Sequence, residues 1–159
     1  MMTEINLEKV IKPELVHVNV EAKNKEEVLT IACQLLEQYG YVSSAEAFKA
    51  DVYQREAEGI TGIGQGIAIP HGKSNSVVET TVVVMSLANA IEWETLDEEP
   101  VKVVILFVVK DTDATTTHIL LLQKVAILLA DEVFTQELAK AKDNQTLYQL
   151  MIHGVTEEK

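Results

Sequence analysis

The stretch VKVVILFVV, Val101–Val109, is the part of the sequence that decides the predicted fold. It is much shorter than the roughly 20 apolar residues of a membrane-spanning helix, and its many β-branched residues indicate a buried strand. Because the stretch is apolar on both faces, we expect helices to cover both sides of its sheet. The sequence therefore predicts an α/β fold with three layers, in which helices flank a central sheet.

The N-terminal half of the chain predicts a strand followed by two helices. Residues 14–20 alternate valines with polar residues, which is the pattern of a half-buried strand. Asn24, with a glutamate three residues later, is a helix-start signature, and apolar residues at helical spacing then run to Gly40. Ser43 repeats the start signature for a second helix that is expected to end near Glu56.

The rest of the chain predicts further strands and then helices. A glycine-rich loop leads into a short strand at 67–69, and a longer strand follows at 77–87 before an acidic connection. The mixture of local connections indicates a mixed sheet. Three successive helices are expected in the C-terminal third, capped by Thr115 or Thr116, by Asp131 and by Asp143.

Length, charge and cysteine content restrict the kind of protein. The 159 residues suffice for one ordinary domain, so a single domain over 1–159 is expected. The net charge of −12 argues against binding to nucleic acid or to an anionic membrane surface, since both attract basic proteins. The N-terminus lacks the pattern of a signal peptide, and the single cysteine, Cys33, cannot form an internal disulfide. These features predict a protein of the reducing cytoplasm.

The loop GIGQGIAIPHGKS, Gly62–Ser74, looks like a phosphate-binding loop but fails both nucleotide motifs. A Walker loop has four residues between its first glycine and Gly-Lys-Ser/Thr, and here five residues, 67–71, intervene. The dinucleotide fingerprint fails because Ile67 stands in place of its third glycine and a helix precedes the loop. Nucleotide binding is therefore disfavoured. Lys73 could guide a phosphoryl group or could simply be a solvated lysine.

His71 is the residue that this loop presents. Pro70 stiffens the exit from the preceding strand, and Gly72 allows a bulky group to approach the imidazole closely. An imidazole held in this way can be a metal ligand, a general base or a nucleophile, or it can be hydrogen-bonded for structure alone. The chain has no HxH, HxxxH or CxxC spacing that would favour a metal.

Two further residues strengthen a phosphoryl interpretation of the loop. His118 falls in the first turn of a predicted helix, where unpaired N–H groups and the helix dipole favour an anion. Arg55, just before the glycine-rich loop, is a candidate fixed cation. Each of these residues alone could be an exposed helix residue. Together with His71 and the glycines, they resemble a site for a phosphoryl group carried on histidine, since such transfer needs positioning and charge stabilisation.

The segment EAEGITGIGQGIAIPHG, Glu56–Gly72, resembles the active-site signature of one protein family. That family is enzyme IIA of the fructose/mannitol/nitrogen-regulatory class (type 2), from the phosphoenolpyruvate-dependent sugar phosphotransferase system. The resemblance extends over the whole chain and implies a single EIIA domain with a three-layer fold around a mixed sheet. The positions that match the signature are Glu56, Ile63, Gly64, Ile67, Ala68, Ile69, Pro70, His71 and Gly72.

The resemblance also implies roles for residues and partners. His71 would be phosphorylated on Nε2 by the phosphocarrier HPr and would pass the group to a IIB component, which serves a IIC membrane permease. His118 and Arg55 take the places of the family's second active-site histidine and its arginine. The pocket lining would include Thr61, Gly62 and Gly72. No metal, nucleotide or other cofactor is implied.

Two functions fit this resemblance. The main prediction is a stand-alone sugar-transport phosphocarrier of the fructose or galactitol type, and the alternative is a regulatory protein of the nitrogen-regulatory branch. The sugar itself cannot be read, because mannitol and galactitol relatives share the signature and the membrane component selects the sugar. Three other features are expected to be structural or solvated, namely His17 and His153, Cys33 beside the core positions of its helix, and the acidic connection with Glu92, Glu94, Asp97, Glu98 and Glu99.

Overall fold

A computed structural model describes residues 9–113 and 117–156 of the chain, without the side chains of residues 113, 117–119, 121–122 and 155–156. Six strands and five helices lie in these ranges. The strands are β1 Ile11–Val20, β2 Gly62–Gly64, β3 Ile67–Ala68, β4 His71–Ser74, β5 Thr81–Ile91 and β6 Val101–Lys110. The helices are α1 Lys25–Gln38, α2 Ala45–Glu58, α3 Thr117–Leu129, α4 Glu132–Lys140 and α5 Asn144–Thr156, with a short 3₁₀ turn at Asp111–Asp113.

The strands form one mixed sheet, as the sequence predicts. The order along the sheet is β1-β5-β6-β3-β2, and β4 also pairs with β6. β1 runs parallel to β5, and β3 and β4 run parallel to β6, whereas β5/β6 and β2/β3 are antiparallel. β3 and β4 follow each other along one edge of β6, with Ile69 and Pro70 between them. Pro70 has no N–H for the ladder, but its carbonyl accepts a hydrogen bond from Phe107 N at 2.9 Å.

β6 lies at the centre of three layers and confirms the prediction made from its sequence. Its side chains alternate between two hydrophobic clusters, one on each face of the sheet. Val104, Leu106 and Val108 pack in the cluster that includes residues of α1 and α2. Val103, Ile105, Phe107 and Val109 pack in the cluster that includes residues of α3, α4 and α5.

Most helix boundaries follow the capping residues named above. Asn24 accepts a hydrogen bond from Glu27 N, and Asp131 and Asp143 cap α4 and α5 in the same way. The second helix begins one residue later than predicted, because Ser44 and not Ser43 is its N-cap, and it continues past Glu56 to Glu58. The predicted caps Thr115 and Thr116 lie outside the described residues.

Two strand predictions were wrong in detail. The alternation in β1 breaks at bulges, with Leu15 and Val16 both buried and Asn19 in a left-handed conformation at φ 58°. The strand predicted at 77–87 is instead β5, which starts at Thr81 and continues to Ile91. Residues 75–76 form a turn, in which Ser74 Oγ accepts a hydrogen bond from Ser76 N, and Val77 makes an isolated bridge with Val42. His71, predicted in a loop, is the first residue of β4.

Candidate active site

His71 is held at the point where the edge strand resumes after Pro70. It is paired in register with Phe107 of β6, and the two ring centroids are 6.1 Å apart. Only 9% of the residue is exposed. The imidazole therefore sits at the start of a strand that the largely buried β6 holds in place.

Two hydrogen bonds define the protonation pattern of the His71 ring. Nδ1 lies 3.1 Å from the carbonyl oxygen of Ile69, and Nε2 lies 3.0 Å from Nε of Arg55. A carbonyl oxygen can only accept and an arginine nitrogen can only donate, so one neutral tautomer satisfies both contacts. In that tautomer Nδ1 carries the proton and Nε2 presents its lone pair.

Arg55 reaches His71 from the last turn of α2. A cation is favourable at this end of a helix, where unpaired carbonyl groups carry partial negative charge. Nη1 of Arg55 also donates to the carbonyl of Gly59 at 3.5 Å. The guanidinium is thus fixed beside Nε2, where it can neutralise negative charge brought to that nitrogen. Of the predicted site residues, Arg55 and His71 are brought into direct contact.

Thr61 and His118 stand differently in the structure. Thr61 is buried, and its carbonyl accepts a hydrogen bond from Ile69 N at 2.9 Å. Thr61 therefore holds the residue whose own carbonyl orients the His71 ring. His118 is the second residue of α3. Its side chain lies outside the described residues, so its place relative to His71 stays a prediction.

An ion pair between the half-buried Lys25 and the buried Glu56 carboxylate lies beside this site, and Lys25 is not among the residues predicted from the sequence. Glu56, whose side chain is 6% exposed, contacts Lys25 Nζ through Oε1 at 2.6 Å and accepts from Thr61 Oγ1 through Oε2 at 2.6 Å. Trp93 Nε1 donates to the same Thr61 hydroxyl at 3.3 Å. Burial favours neutral Lys25, but its hydrogen bonds to Glu56 and Glu94 outweigh this effect and raise its pKa. No local signal could find Lys25, because it meets Glu56 only in the folded chain.

The acidic connection between β5 and β6 is more than a solvated loop, which corrects the expectation from sequence. Glu94 pairs with Lys25 at 3.0 Å. The Asp97 carboxylate accepts hydrogen bonds from Gln65 N at 3.0 Å and from Glu99 N at 3.1 Å. These two bonds, that from Gln65 first, hold the pKa of Asp97 below its usual value. The connection therefore fastens the β2–β3 hairpin.

Two glycines of the signature allow other segments to approach closely. A Cβ on Gly62 would stand 2.6 Å from the carbonyl oxygen of Glu94 and still closer to the Thr95 side chain. A Cβ on Gly72 would stand 2.9 Å from ring carbon Cε1 of Phe48 and from Cγ2 of Val52, both on α2. The sequence predicts that Gly72 leaves room for a group to approach His71. The structure shows that it makes room for α2 on β4.

Gly62→Ala is expected to lower the free energy of unfolding by about 1–3 kcal/mol or more, because the new methyl group meets backbone that cannot rotate away. Chemical denaturation of the two proteins measures the difference. Gly59→Ala is the control, since its Cβ has no neighbour nearer than Arg55 Nη1 at 3.9 Å and its φ of 169° suits any residue. We expect that variant to be unchanged or more stable by up to about 1 kcal/mol. Equal stabilities of the two variants would contradict the close approach at Gly62.

The described residues contain neither a group of side chains placed to bind a metal nor a helix suited to cross a membrane. No group of three or more histidine, cysteine, aspartate or glutamate side chains in 9–113 and 117–156 is placed to hold a metal ion. Among the same residues, no helix is both long and apolar enough to cross a membrane.

The fold and the signature around His71 correspond to a known class of phosphotransfer protein. Residues 9–154 match the family model for the phosphoenolpyruvate-dependent sugar phosphotransferase system, EIIA 2. The chain therefore belongs to that family, as the signature predicts. This membership supports a phosphocarrier role.

Two curated relatives and one solved structure illustrate the range of the family. The chain is 37% identical, over 72% of its length, to the 2-O-alpha-mannosyl-D-glycerate-specific EIIABC component of Escherichia coli (strain K12), of which it spans only 18%. It is 32% identical to the nitrogen regulatory protein of Klebsiella oxytoca, over 92% of this chain and 90% of that protein. Its fold matches enzyme IIA for mannitol, solved with phosphorylated enzyme IIB from Escherichia coli, with a TM-score of 0.74 at 23% identity over 89% and 97% of the chains.

Proposed function

We propose that the chain is a single EIIA domain that carries a phosphoryl group on Nε2 of His71. It accepts the group from phosphorylated HPr and passes it to a IIB component during sugar uptake, in the cytoplasm. The observation that supports this proposal most strongly is the pair of hydrogen bonds to the imidazole. The Ile69 carbonyl holds the proton on Nδ1, and Arg55 places a cation 3.0 Å from the nitrogen that bears the lone pair.

The transfer is a displacement at phosphorus between two histidine nitrogens. The lone pair of His71 Nε2 forms the new N–P bond, while the N–P bond of the donor phosphohistidine breaks and its electron pair returns to the donor nitrogen. Arg55 must first release Nε2, and its guanidinium then binds the oxygens of the incoming phosphoryl group. Because a phosphoramidate is broken and another is formed, the step is readily reversible.

Four further residues complete the proposed pocket. His118, at the N-terminal turn of α3, is assigned a contact with a phosphoryl oxygen, since helix N-termini favour anions. Thr61, Gly62 and Gly72 are assigned to the pocket wall through their backbones, since the Thr61 hydroxyl bonds to Glu56 and a Cβ on either glycine would face Thr95 or α2. The proposal uses no metal and no nucleotide.

The partners follow from the system to which the family belongs. The complex of enzyme IIA for mannitol with phosphorylated enzyme IIB supports a IIB acceptor for this chain, and the IIC permease would be reached only through IIB. The Escherichia coli protein named above is an EIIABC component, which supports a role in sugar transport. HPr is the donor that the resemblance implies.

The proposal is tested by incubating the chain with phosphoenolpyruvate, enzyme I and HPr. We expect the wild-type chain to gain acid-labile phosphate that depends on all three additions. The phosphorylated chain is then mixed with a purified IIB domain, the proposed acceptor, and the loss of label from the chain is followed. A chain that gains no phosphate would overturn the proposed function.

A regulatory role is the second candidate, and one observation favours it. The chain matches the Klebsiella oxytoca nitrogen regulatory protein over 92% of its own length and 90% of that protein. The two functions are distinguished by whether the chain passes its phosphate to a IIB component. A transport protein donates its phosphate to a matching IIB and restores sugar phosphorylation by the membrane component. A regulatory protein takes up phosphate from HPr but does not restore sugar phosphorylation.

A further inference from the structure

The ion pair between Lys25 and Glu56 links the beginning of α1 to the end of α2. Lys25 is the first residue of α1, and Glu56 follows Arg55 in the last turns of α2. The side chain of Glu56 is only 6% exposed and that of Lys25 is 20% exposed. Both oxygens of the carboxylate are used, one by Lys25 and one by the Thr61 hydroxyl. The carboxylate is therefore fixed in both position and rotation.

Three hydrogen bonds, joined through the backbones of Thr61 and Ile69, connect this carboxylate to the imidazole. Glu56 Oε2 accepts from the Thr61 hydroxyl at 2.6 Å. The Thr61 carbonyl accepts from Ile69 N at 2.9 Å, and the Ile69 carbonyl lies 3.1 Å from Nδ1 of His71. The orientation of the His71 ring thus depends on a carbonyl that Thr61 holds in place.

The Glu56 carboxylate also helps to fix the position of the Arg55 guanidinium. Glu56 is the neighbour of Arg55 in the sequence, so fixing Glu56 against Lys25 fixes the turn of α2 from which Arg55 reaches Nε2. Glu94 binds Lys25 from the acidic connection, and the Lys25 ammonium lies 4.9 Å from the centre of the Trp93 ring. The position of Arg55 and the orientation of the His71 ring therefore both depend on the Lys25–Glu56 pair.

Stability alone is a poor reason for such a pair. Taking two charges out of water costs free energy that their attraction often fails to recover, and apolar residues of similar size would pack as well. A pair with two defined oxygen partners does, however, fix geometry. Geometry matters here because a small displacement of reacting groups slows a reaction strongly.

We propose that Lys25, Glu56 and Thr61 form a positioning network that sets the distance and direction between Arg55 and Nε2 of His71. This inference rests on the proposed function for its effect on the rate of transfer. The three residues act through Arg55 and His71. Their loss slows the transfer step and leaves the binding of phosphorylated HPr unchanged.

The chain contains a matched control on the same two helices. Lys49 of α2 pairs with Glu26 of α1 at 3.0 Å, and it also donates to Thr30 of α1. Lys49→Met therefore removes a lysine that links α1 and α2, as Lys25→Met does, but it removes no bond to Glu56 or Thr61. A merely structural role of the Lys25–Glu56 pair predicts unchanged imidazole shifts and an unchanged kcat in both variants, although Lys25→Met, which leaves the buried Glu56 carboxylate without its lysine, would be the less stable of the two.

The first measurement is made on the unphosphorylated protein and does not depend on the proposed function. The ¹⁵N chemical shifts of the His71 imidazole report which ring nitrogen carries the proton. We expect the wild type and Lys49→Met to show the proton on Nδ1. Glu56→Gln, Lys25→Met and Thr61→Val are expected to show a mixture of the two tautomers, because loss of the side-chain contacts lets the Thr61 backbone, and Ile69 bonded to it, shift relative to Nδ1.

The second measurement is the rate of phosphoryl transfer from phosphorylated HPr. In Glu56→Gln and Lys25→Met we expect kcat to fall about tenfold to a hundredfold, with KM within about twofold of the wild-type value. Lys25→Arg keeps the cation and is expected to recover most of the rate. Thermal melts identify any variant that does not fold, and the remaining variants then decide the question.

Three results would count against the network. One is a folded Glu56→Gln or Lys25→Met variant whose imidazole shifts and kcat match those of Lys49→Met. Another is a rise in KM at constant kcat, which would assign these residues to partner binding. The third is an equal loss of rate in Lys49→Met. If the wild type takes up no phosphate, the proposed function fails, and the imidazole shifts still decide whether the network orients His71.

Discussion

The His71→Gln variant is expected to take up no acid-labile phosphate under conditions in which the wild type is fully labelled. Glutamine is similar in reach to histidine and can hydrogen-bond to the Ile69 carbonyl or to Arg55, so the fold should be kept. Its amide nitrogen has no free lone pair for attack on phosphorus. Labelled phosphoenolpyruvate, with enzyme I and HPr, measures the uptake, and circular dichroism checks the fold.

The other described histidines supply the controls for this experiment. Nε2 of His17 is engaged with the carbonyl of Glu14 at 2.9 Å, and His153 lies on α5. His17→Gln and His153→Gln are expected to take up as much phosphate as the wild type. Acid-labile phosphate on folded His71→Gln would mean that another residue carries the group. Mapping the label to Nε2 of His71 in the wild type would complete the test.

The parts of the fold that could be predicted from sequence depend on residues close together in the chain. The cap of α1 is a contact between Asn24 and the backbone three residues later. Asp131 caps α4 through the same short range. The three layers could be predicted because the apolar residues Val103–Val109 of β6 follow one another without a break. His71 could be found because it stands within a compact signature.

The parts that could not be predicted depend on segments far apart in the sequence. Lys25 meets Glu56 and Glu94 only after α1, α2 and the acidic connection have packed together. Asp97 is bonded to Gln65, so an aspartate in an apparently solvated loop fastens a hairpin. The packing around Gly72 is equally distant, since α2 and not the phosphoryl pocket fills the space beside it. Periodicity and capping rules carry no information on such contacts.

Arg55→Gln is expected to lower the rate of transfer to His71 by about 10²–10³, which corresponds to about 2.7–4 kcal/mol of lost transition-state stabilisation. The charge on the phosphoryl oxygens is spread during the transfer, and the guanidinium next to Nε2 stabilises it after turning from that nitrogen to the oxygens. Rapid-quench measurements with phosphorylated HPr in excess give the rate of the chemical step. The protein should remain folded, because Arg55 is only partly buried at a helix end.

Two variants, Arg55→Lys and Lys73→Gln, test whether Arg55 acts through the fixed position of its guanidinium or only by attracting anions. Lysine keeps the charge but lacks the planar guanidinium, so we expect Arg55→Lys to lie between the wild type and Arg55→Gln. Lys73 is exposed on β4 two residues from His71, and its replacement removes a nearby positive charge without touching Nε2. If Arg55 acted only by attracting anions, Lys73→Gln would lose a similar factor and added salt would reduce both losses. We expect instead that Lys73→Gln changes the rate by no more than about twofold. The loss in Arg55→Gln should persist at high salt, because the guanidinium acts at hydrogen-bond distance from the reacting nitrogen.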